Sequence, residues 1–403
     1  MELIDRPLYT NQIEPFIGKG LIKVLTGQRR VGKSCILAQL MKMVAQRRPD
    51  ANVVSINMEY EEFRTIRTDR DLYEFLRDKL PKDRDNYLFI DEIQDIAGFE
   101  YVLRDFQARE ICDMFITGSN AKMMSSELST YLSGRYIEFH VHSLSYMEFL
   151  TFHKLSDNNR SLALYLTYGG MPYLSRLELT DELAFEYLRN VYSTIFLKDV
   201  VKREGIRNID FLETLGLYIA DNIGNLFSAN NISKYLKSQR TEISVIQVIN
   251  YLKAMRNAFI INKVERMDVN GLKIFEIGDK YYYEDLGLRN CQLGFSLQRD
   301  IHKLMENAVY LHLRQLRYDV YVGRLDKREI DFVGITRGKR VYVQVAYLLV
   351  DAETKEREFG NLMAIPDNYP KYVVTMDEFN LGGLGEKGIH HLHLADFLKL
   401  KEL

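Results

Sequence analysis

The chain has 403 residues, 46% of them hydrophobic and 27% charged, with a formal net charge of −2. That length is too great for one ordinary core and predicts two or three domains, while the near-neutral charge excludes a uniformly basic nucleic-acid binder, so any such surface must be a local patch. Cys35, Cys112 and Cys291 lack metal-ligand spacing, the N-terminus lacks the basic start and apolar run of a secretory leader, and no apolar run nears the roughly 20 residues that cross a bilayer; the expectation is a cytoplasmic protein without a membrane partner.

Residues 1–20 show little periodicity. Arg6 and Tyr9 precede the first strand, where a chain either lies over a bound base or simply leads in. Leu21 to Thr26 is a short apolar run that reads as a buried strand, and Ile36, Leu37, Leu40, Met41 and Val44 recur at helical spacing. Between them stands Gly27-Gln28-Arg29-Arg30-Val31-Gly32-Lys33-Ser34, followed by Cys35. Strand, glycine loop and helix are the setting this pattern requires. The glycines permit a tight turn whose N–H groups form an anion nest, and the helix N-terminus adds positive potential. Lys33 is expected on the β- and γ-phosphates, and the Ser34 hydroxyl on Mg²⁺.

Asn52 to Asn57 reads as a second strand and residues 70–80 as an amphipathic helix stopped by Pro81. Tyr87-Leu88-Phe89-Ile90-Asp91-Glu92 is an apolar run that delivers two acids at a strand end: Asp91 for the Mg²⁺ shell, Glu92 to polarise the attacking water. The next strand, Cys112 to Thr117, ends in Gly118-Ser119-Asn120, where Ser119 or Asn120 either senses the γ-phosphate or forms an ordinary turn. Arg135, before a fifth strand at Ile137 to Val141, either approaches the phosphates, in cis or from a neighbouring subunit, or is a surface residue. Alternating strands and helices predict a parallel sheet with ligands at the strand C-termini.

Gly27 to Ser34, Tyr87 to Ile93, Thr117 to Asn120 and Ser133-Gly134-Arg135-Tyr136 together resemble a prokaryotic family of AAA-like P-loop ATPases of the additional-strand class. The resemblance implies ATP rather than GTP, hydrolysis by the Asp-Glu pair, and a C-terminal region of unknown function (DUF4143-type). That region typically opens with Gly-Gly-Met-Pro, present here as Gly169-Gly170-Met171-Pro172.

Residues 151–220 read as a helical lid or linker after an ATPase domain at 1–150; Ser145 and Glu148 form a capping box, and Lys198, Lys202, Arg203 and Arg207 a small basic cluster. Residues 221–290 read as a winged helix: helices at 229–237 and 243–256, then a hairpin turning at Asp268-Val269-Asn270-Gly271. Gln247, Asn250, Lys253 and Arg256 would face solvent, with Arg240, Lys263 and Arg266 nearby, as a DNA contact or a protein-contact surface. Residues 291–403 resemble a restriction-endonuclease-like α/β fold in which a helix starting at Glu306 and a strand bearing Asp331 supply acids. The following Gln344-Val345-Ala346 lacks the expected acid and lysine, so this domain is expected to be an inactive relict. His302 and His312 read as structural, and His390, His391 and His393 as surface residues. Taken together the sequence predicts an Mg²⁺-dependent ATPase switching its C-terminal modules, with an unidentified protein partner; the alternative is an ATP-regulated DNA-binding or nuclease protein.

Overall fold

The apolar runs of the first third become the strands of one parallel sheet. The computed structural model describes residues 4–121, 131–238, 243–271, 274–293, 296–349, 352–378 and 388–403, and the chain divides into two units: Met1–His142 with Asn257–Phe259, and Ser143–Arg256 with Ile260–Leu403. In the first unit β1 (Ile22–Thr26), β2 (Asn52–Asn57), β3 (Asn86–Asp91), β4 (Asp113–Gly118) and β5 (Tyr136–His140) lie in the order β2-β3-β4-β1-β5. Every pairing is parallel. β4 is thus the additional strand between the loop-bearing β1 and the acid-bearing β3. Both β1 and β3 are buried along their whole length, as continuous apolar runs are when helices cover both faces. Those helices are α1 (Pro7–Ile13), α2 (Lys33–Arg47), α3 (Asp69–Arg77) and α4 (Phe99–Ala108). The parallel arrangement brings the C-terminal ends of β1, β3 and β4 to one edge, so Gly27, Glu92 and Ser119 become neighbours although 65 and 27 residues separate them in sequence.

The second unit starts with α5 (Tyr146–His153), opened by the Ser145–Glu148 capping box, then α6 (Asn159–Tyr168), α7 (Asp181–Ile195) and α8 (Ile209–Asp221). Next come β6 (Leu226–Phe227), α9 (Ala229–Ser238), α10 (Val245–Asn257), β7 (Ile261–Asp268), β8 (Ile274–Tyr283) and the short α11 (Leu286–Asn290). Ser228 caps α9, accepting from the Asn231 N–H at 3.1 Å. The chain ends with α12 (Leu297–Gln315), β9 (Asp319–Leu325), β10 (Arg328–Thr336), β11 (Lys339–Val345), α13 (Ala352–Met363), β12 (Lys371–Thr375), β13 (Ile389–His393) and α14 (Leu394–Phe397). β6 to β13 form one sheet in the order β13-β12-β11-β10-β9-β7-β8-β6. The helix-turn-helix-hairpin segment therefore shares its sheet with the C-terminal strands, through the parallel pairing of β7 with β9.

Gly169 and Gly170 have a steric reason. A Cβ on Gly169 would strike the Asp285 carboxylate and the Gly287 N–H, and one on Gly170 would strike the Leu144 backbone. Asp285 itself is fully buried and accepts from the Gly170 N–H at 2.7 Å and the Leu288 N–H at 3.0 Å.

Two expectations are corrected. The helix bearing Glu306 starts not there but at Leu297, where Ser296 caps it and Ile301, Leu304 and Met305 extend the apolar face backward. His393 is not a surface residue: it is buried and its Nδ1 accepts the Ala395 N–H at 3.2 Å, while His391 is hydrogen-bonded to Thr375 at 2.8 Å. Arg240 lies outside the described residues.

Candidate nucleotide site

Gly27 leaves β1 with φ 138°, and a Cβ there would collide with the Val141 carbonyl, so the turn admits glycine alone. Gly32, at φ 96°, caps α2, and Lys33 is the first residue of the helix. The Lys33 ammonium, 4% exposed, donates to the carbonyls of Gly27 at 3.0 Å and Gln28 at 2.9 Å and stands 3.9 Å from Glu92 Oε1. Gln28 is fully buried, and neither end of its amide has a hydrogen-bond partner among the described residues. A polar side chain orphaned inside a phosphate-type loop fits a site that receives a polar ligand. Arg6 and Tyr9 pack onto this loop rather than leading in through solvent. The Arg6 guanidinium donates to the Val31 carbonyl at 2.8 Å and lies 4.6 Å from the Tyr9 ring centroid.

The acids sit beside the loop. Asp91 is hydrogen-bonded by Ser34 and Thr117, so the two residues expected on Mg²⁺ already touch. The Thr117 hydroxyl donates to Asp91 Oδ1 at 2.5 Å and accepts the Glu92 N–H at 2.9 Å, while Asn57 donates to Asp91 Oδ2 at 3.2 Å. Glu92 takes a left-handed backbone, φ 57°. Its Oε2 accepts from the Ser119 hydroxyl at 2.8 Å and from the Gln94 amide, and lies 3.9 Å from Arg29. The two acids move in opposite directions. Burial raises the Asp91 pKa against the Thr117 and Ser34 hydrogen bonds. Burial also opposes charge on Glu92, but Lys33, Arg29, Ser119 and Gln94 outweigh it and hold Glu92 below the usual carboxylate range.

Of the polar pair after β4, Ser119 meets Glu92, and Asn120 is buried next to it in sequence. Arg135 is not brought to the loop. It precedes β5, whose Tyr136 pairs with Ile22 at the start of β1, whereas the loop leaves the other end of that strand, roughly 15 Å away at 3.3 Å per residue. Gln94 escaped the sequence reading because it stood in an unpatterned turn; Thr117 was read only as the end of a strand and the start of a motif, and nothing in that pattern told that its hydroxyl would serve both acids.

A parallel sheet with a glycine loop and an acidic pair at its C-terminal edge defines a P-loop nucleotide-binding module. Residues 19–150 match the AAA domain, and residues 159–307 match a Domain of unknown function (DUF8612), where the sequence resemblance named a different uncharacterised type. An uncharacterized protein of Haemophilus influenzae is 32% identical over 402 residues, 98% of each chain, and this chain belongs to the same family. An uncharacterized protein of Methanocaldococcus jannaschii is 29% identical over 352 residues, 84% of this chain and 77% of its own. Among solved structures, the Aeropyrum pernix ORC1 protein in complex with DNA is similar with 12% identity and a TM-score of 0.31, covering 68% of this chain and 86% of its own. AMPPCP-bound DnaA from Aquifex aeolicus is similar with 13% identity and a TM-score of 0.33, covering 61% and 85%.

Proposed function

We propose that the chain binds ATP with Mg²⁺ on Gly27 to Cys35 and hydrolyses it, and that nucleotide state governs the C-terminal half as a switch. The observation carrying this is the meeting of Lys33, Ser34, Asp91 and Glu92 at one edge of the sheet. In this reading the loop N–H groups and Lys33 bind the phosphates, and Ser34 and Asp91 hold the metal. Mg²⁺, when bound, would neutralise charge on the β- and γ-phosphates. Glu92 orients the attacking water and draws on its proton; its lowered pKa keeps it in the anionic form that this task needs. Ser119, buried against Glu92, is the polar group best placed to register a γ-phosphate, with Asn120 after it. Arg135 serves only if a neighbouring subunit presents it. Three free cysteines suit a reducing compartment such as the cytoplasm. The test is ATP turnover by purified protein: Lys33→Ala and Glu92→Gln should abolish it, and turnover equal to wild type in both would reject the reading.

We also infer that the C-terminal strands, with α12 and the β9-β10-β11 meander, are endonuclease-like. For α10 a DNA contact has a specific argument against it. Gln247, Asn250, Lys253 and Arg256 are exposed, but Ile246 and Ile249, 70% and 51% exposed, share that face. An apolar contact favours a protein partner, and DNA binding without salt dependence would remove the DNA reading.

A further inference from the structure

ATP hydrolysis builds negative charge on the γ-phosphoryl and leaving oxygens, and a guanidinium that meets it is worth about 10³–10⁵ in kcat. The sequence candidate for that task, Arg135, stands at the other end of β1. Two arginines nearer the loop do not face the acids. Arg6 is 2% exposed and spends its guanidinium on the Val31 and His142 carbonyls, and Arg30, at φ 70°, is exposed to solvent. Arg29, on the loop itself and with its side chain 17% exposed, places Nη1 3.9 Å from Glu92 Oε2. Among the described residues it is the one arginine within ion-pair distance of either acid.

The partners of Glu92 differ in kind. Its Oε2 accepts from the Ser119 hydroxyl at 2.8 Å and from the Gln94 amide. Arg29, at 3.9 Å from the same oxygen, makes an ion pair without a hydrogen bond. Lys33 stands 3.9 Å from Oε1 and donates to the Gly27 and Gln28 carbonyls instead. Glu92 therefore keeps its place if Arg29 swings away, and Oε1 keeps a lone pair for a water. Two loop cations, Lys33 and Arg29, balance the two acids, Asp91 and Glu92. A triphosphate adds more negative charge than one Mg²⁺ offsets. It competes with Glu92 for the Arg29 guanidinium, whose planar fork fits phosphate oxygens two at a time.

We propose that Arg29 is the chain's own transition-state arginine: it passes from Glu92 to the γ-phosphoryl oxygens, so hydrolysis needs no arginine from a neighbouring subunit. The inference rests on the ATPase reading above and adds to it a named residue acting in cis. The water oxygen, held by Glu92, bonds to the γ-phosphorus as the bond from that phosphorus to the β,γ-bridging oxygen breaks. The electron pair of the broken bond stays on the bridging oxygen of ADP. One water proton passes to Glu92 and on to solvent, and the other leaves with inorganic phosphate. Arg29 stays protonated throughout and donates to the γ-oxygens as their charge grows.

The test measures ATP turnover in wild type, Arg29→Ala and Arg29→Lys, together with calorimetric binding of ADP and of ADP with fluoroaluminate, a mimic of the transferring phosphoryl group. Arg29→Ala should lower kcat about 10³-fold and change KM by less than about tenfold. It should bind ADP as wild type does and lose most of the extra affinity for the fluoroaluminate complex, whereas a merely damaged loop would loosen ADP as well. Arg29→Lys keeps the charge without the fork and should recover only a small part of kcat. Arg29→Ala mixed with Lys33→Ala should stay inactive, because an arginine that acts in cis is not lent to a neighbour. Activity restored by mixing overturns the cis role. Arg29→Ala with wild-type kcat, or with wild-type affinity for the fluoroaluminate complex, overturns the inference and leaves the ATPase reading standing. Wild type that hydrolyses no ATP overturns both. Where Arg29→Ala fails to fold, Arg29→Lys carries the test, and wild-type kcat in it overturns the inference.

Discussion

Thr117→Val separates the chemistry of the acidic pair from its packing. Thr117 is fully buried, and its one hydroxyl serves both acids, accepting the Glu92 N–H at 2.9 Å and donating to Asp91 Oδ1 at 2.5 Å. Valine has nearly the same shape but no hydroxyl. It leaves the Glu92 N–H unpaired, at about 1–3 kcal/mol, and removes a hydrogen bond to a buried carboxylate, at about 1.5–3 kcal/mol. Partial relaxation brings the expected loss to roughly 2–4 kcal/mol in the first unit. Glu92 also loses the contact that helps hold its left-handed backbone, so ATP turnover should fall as well. Thr117→Ser keeps the hydroxyl and should cost only about 1 kcal/mol for the missing methyl. Hydrogen exchange of the β1 and β4 amides reads the stability of this unit, and steady-state turnover reads the site. Serine and valine variants that are equally stable and equally active would refute the reasoning.

The same substitution has a signed pH dependence. Burial raises Asp91 above its ordinary value of 3.8 despite the Thr117 and Ser34 hydrogen bonds, so the folded chain binds that proton more readily than the unfolded chain. The penalty is complete above the raised pKa and is relieved as pH falls toward the ordinary value. Loss of the Thr117 hydroxyl enlarges it. The gap between Thr117→Val and wild type should be widest at neutral pH and narrow in acid, leaving the part due to the Glu92 N–H.

Ser119→Ala removes one of the groups that keep Glu92 ionised, so the acid limb of its kcat/KM profile should move to higher pH; an unmoved limb would count against Glu92 as the titrating group. Burial pushes Asp285 up to about 6, so the second unit should gain stability as pH falls from about 6 toward 4, by up to about 3 kcal/mol. Asp285→Asn should flatten that slope in urea titrations at several pH values. Gly170→Ala drives a methyl into the Leu144 backbone and should cost about 2–4 kcal/mol, read as a lower urea midpoint, while Gly205→Ala, where a Cβ meets nothing within 4 Å, should lose only about 1 kcal/mol to its positive φ.

The nucleotide module was legible because its signals are local. Gly27 to Ser34 is one contiguous loop, and the run from Tyr87 to Glu92 announces both a strand and its cargo. The position of Arg135 stayed open in the sequence for a related reason: proximity to a strand says nothing about which end of the sheet it occupies. That depends on the parallel pairing of Tyr136 with Ile22, which no residue pattern states. Helix boundaries suffered where polar residues interrupt an apolar face, as Glu306 does within α12.

The buried ion-pair cluster around Lys280 fails to show in the sequence on different grounds. A motif search expects the lysine two residues after Gln344, on the same strand, and finds Ala346. The charge is needed at a point in space, however, and any strand that passes that point can deliver it. β8 pairs with β7, and β7 with β9, and that chain of pairings brings Lys280 to Glu306 and Glu329 across 26 and 49 residues of sequence. Because the hairpin belongs to the same sheet as the acids, removing it would remove the lysine as well. The helix-turn-helix-hairpin segment then matters to the acids as the source of the ammonium beside them, whatever its exposed face binds. Lys280→Met therefore separates the lysine's charge from the strand that carries it: Glu306 loses an ammonium at 3.0 Å, whereas the β7–β8 backbone pairing is untouched.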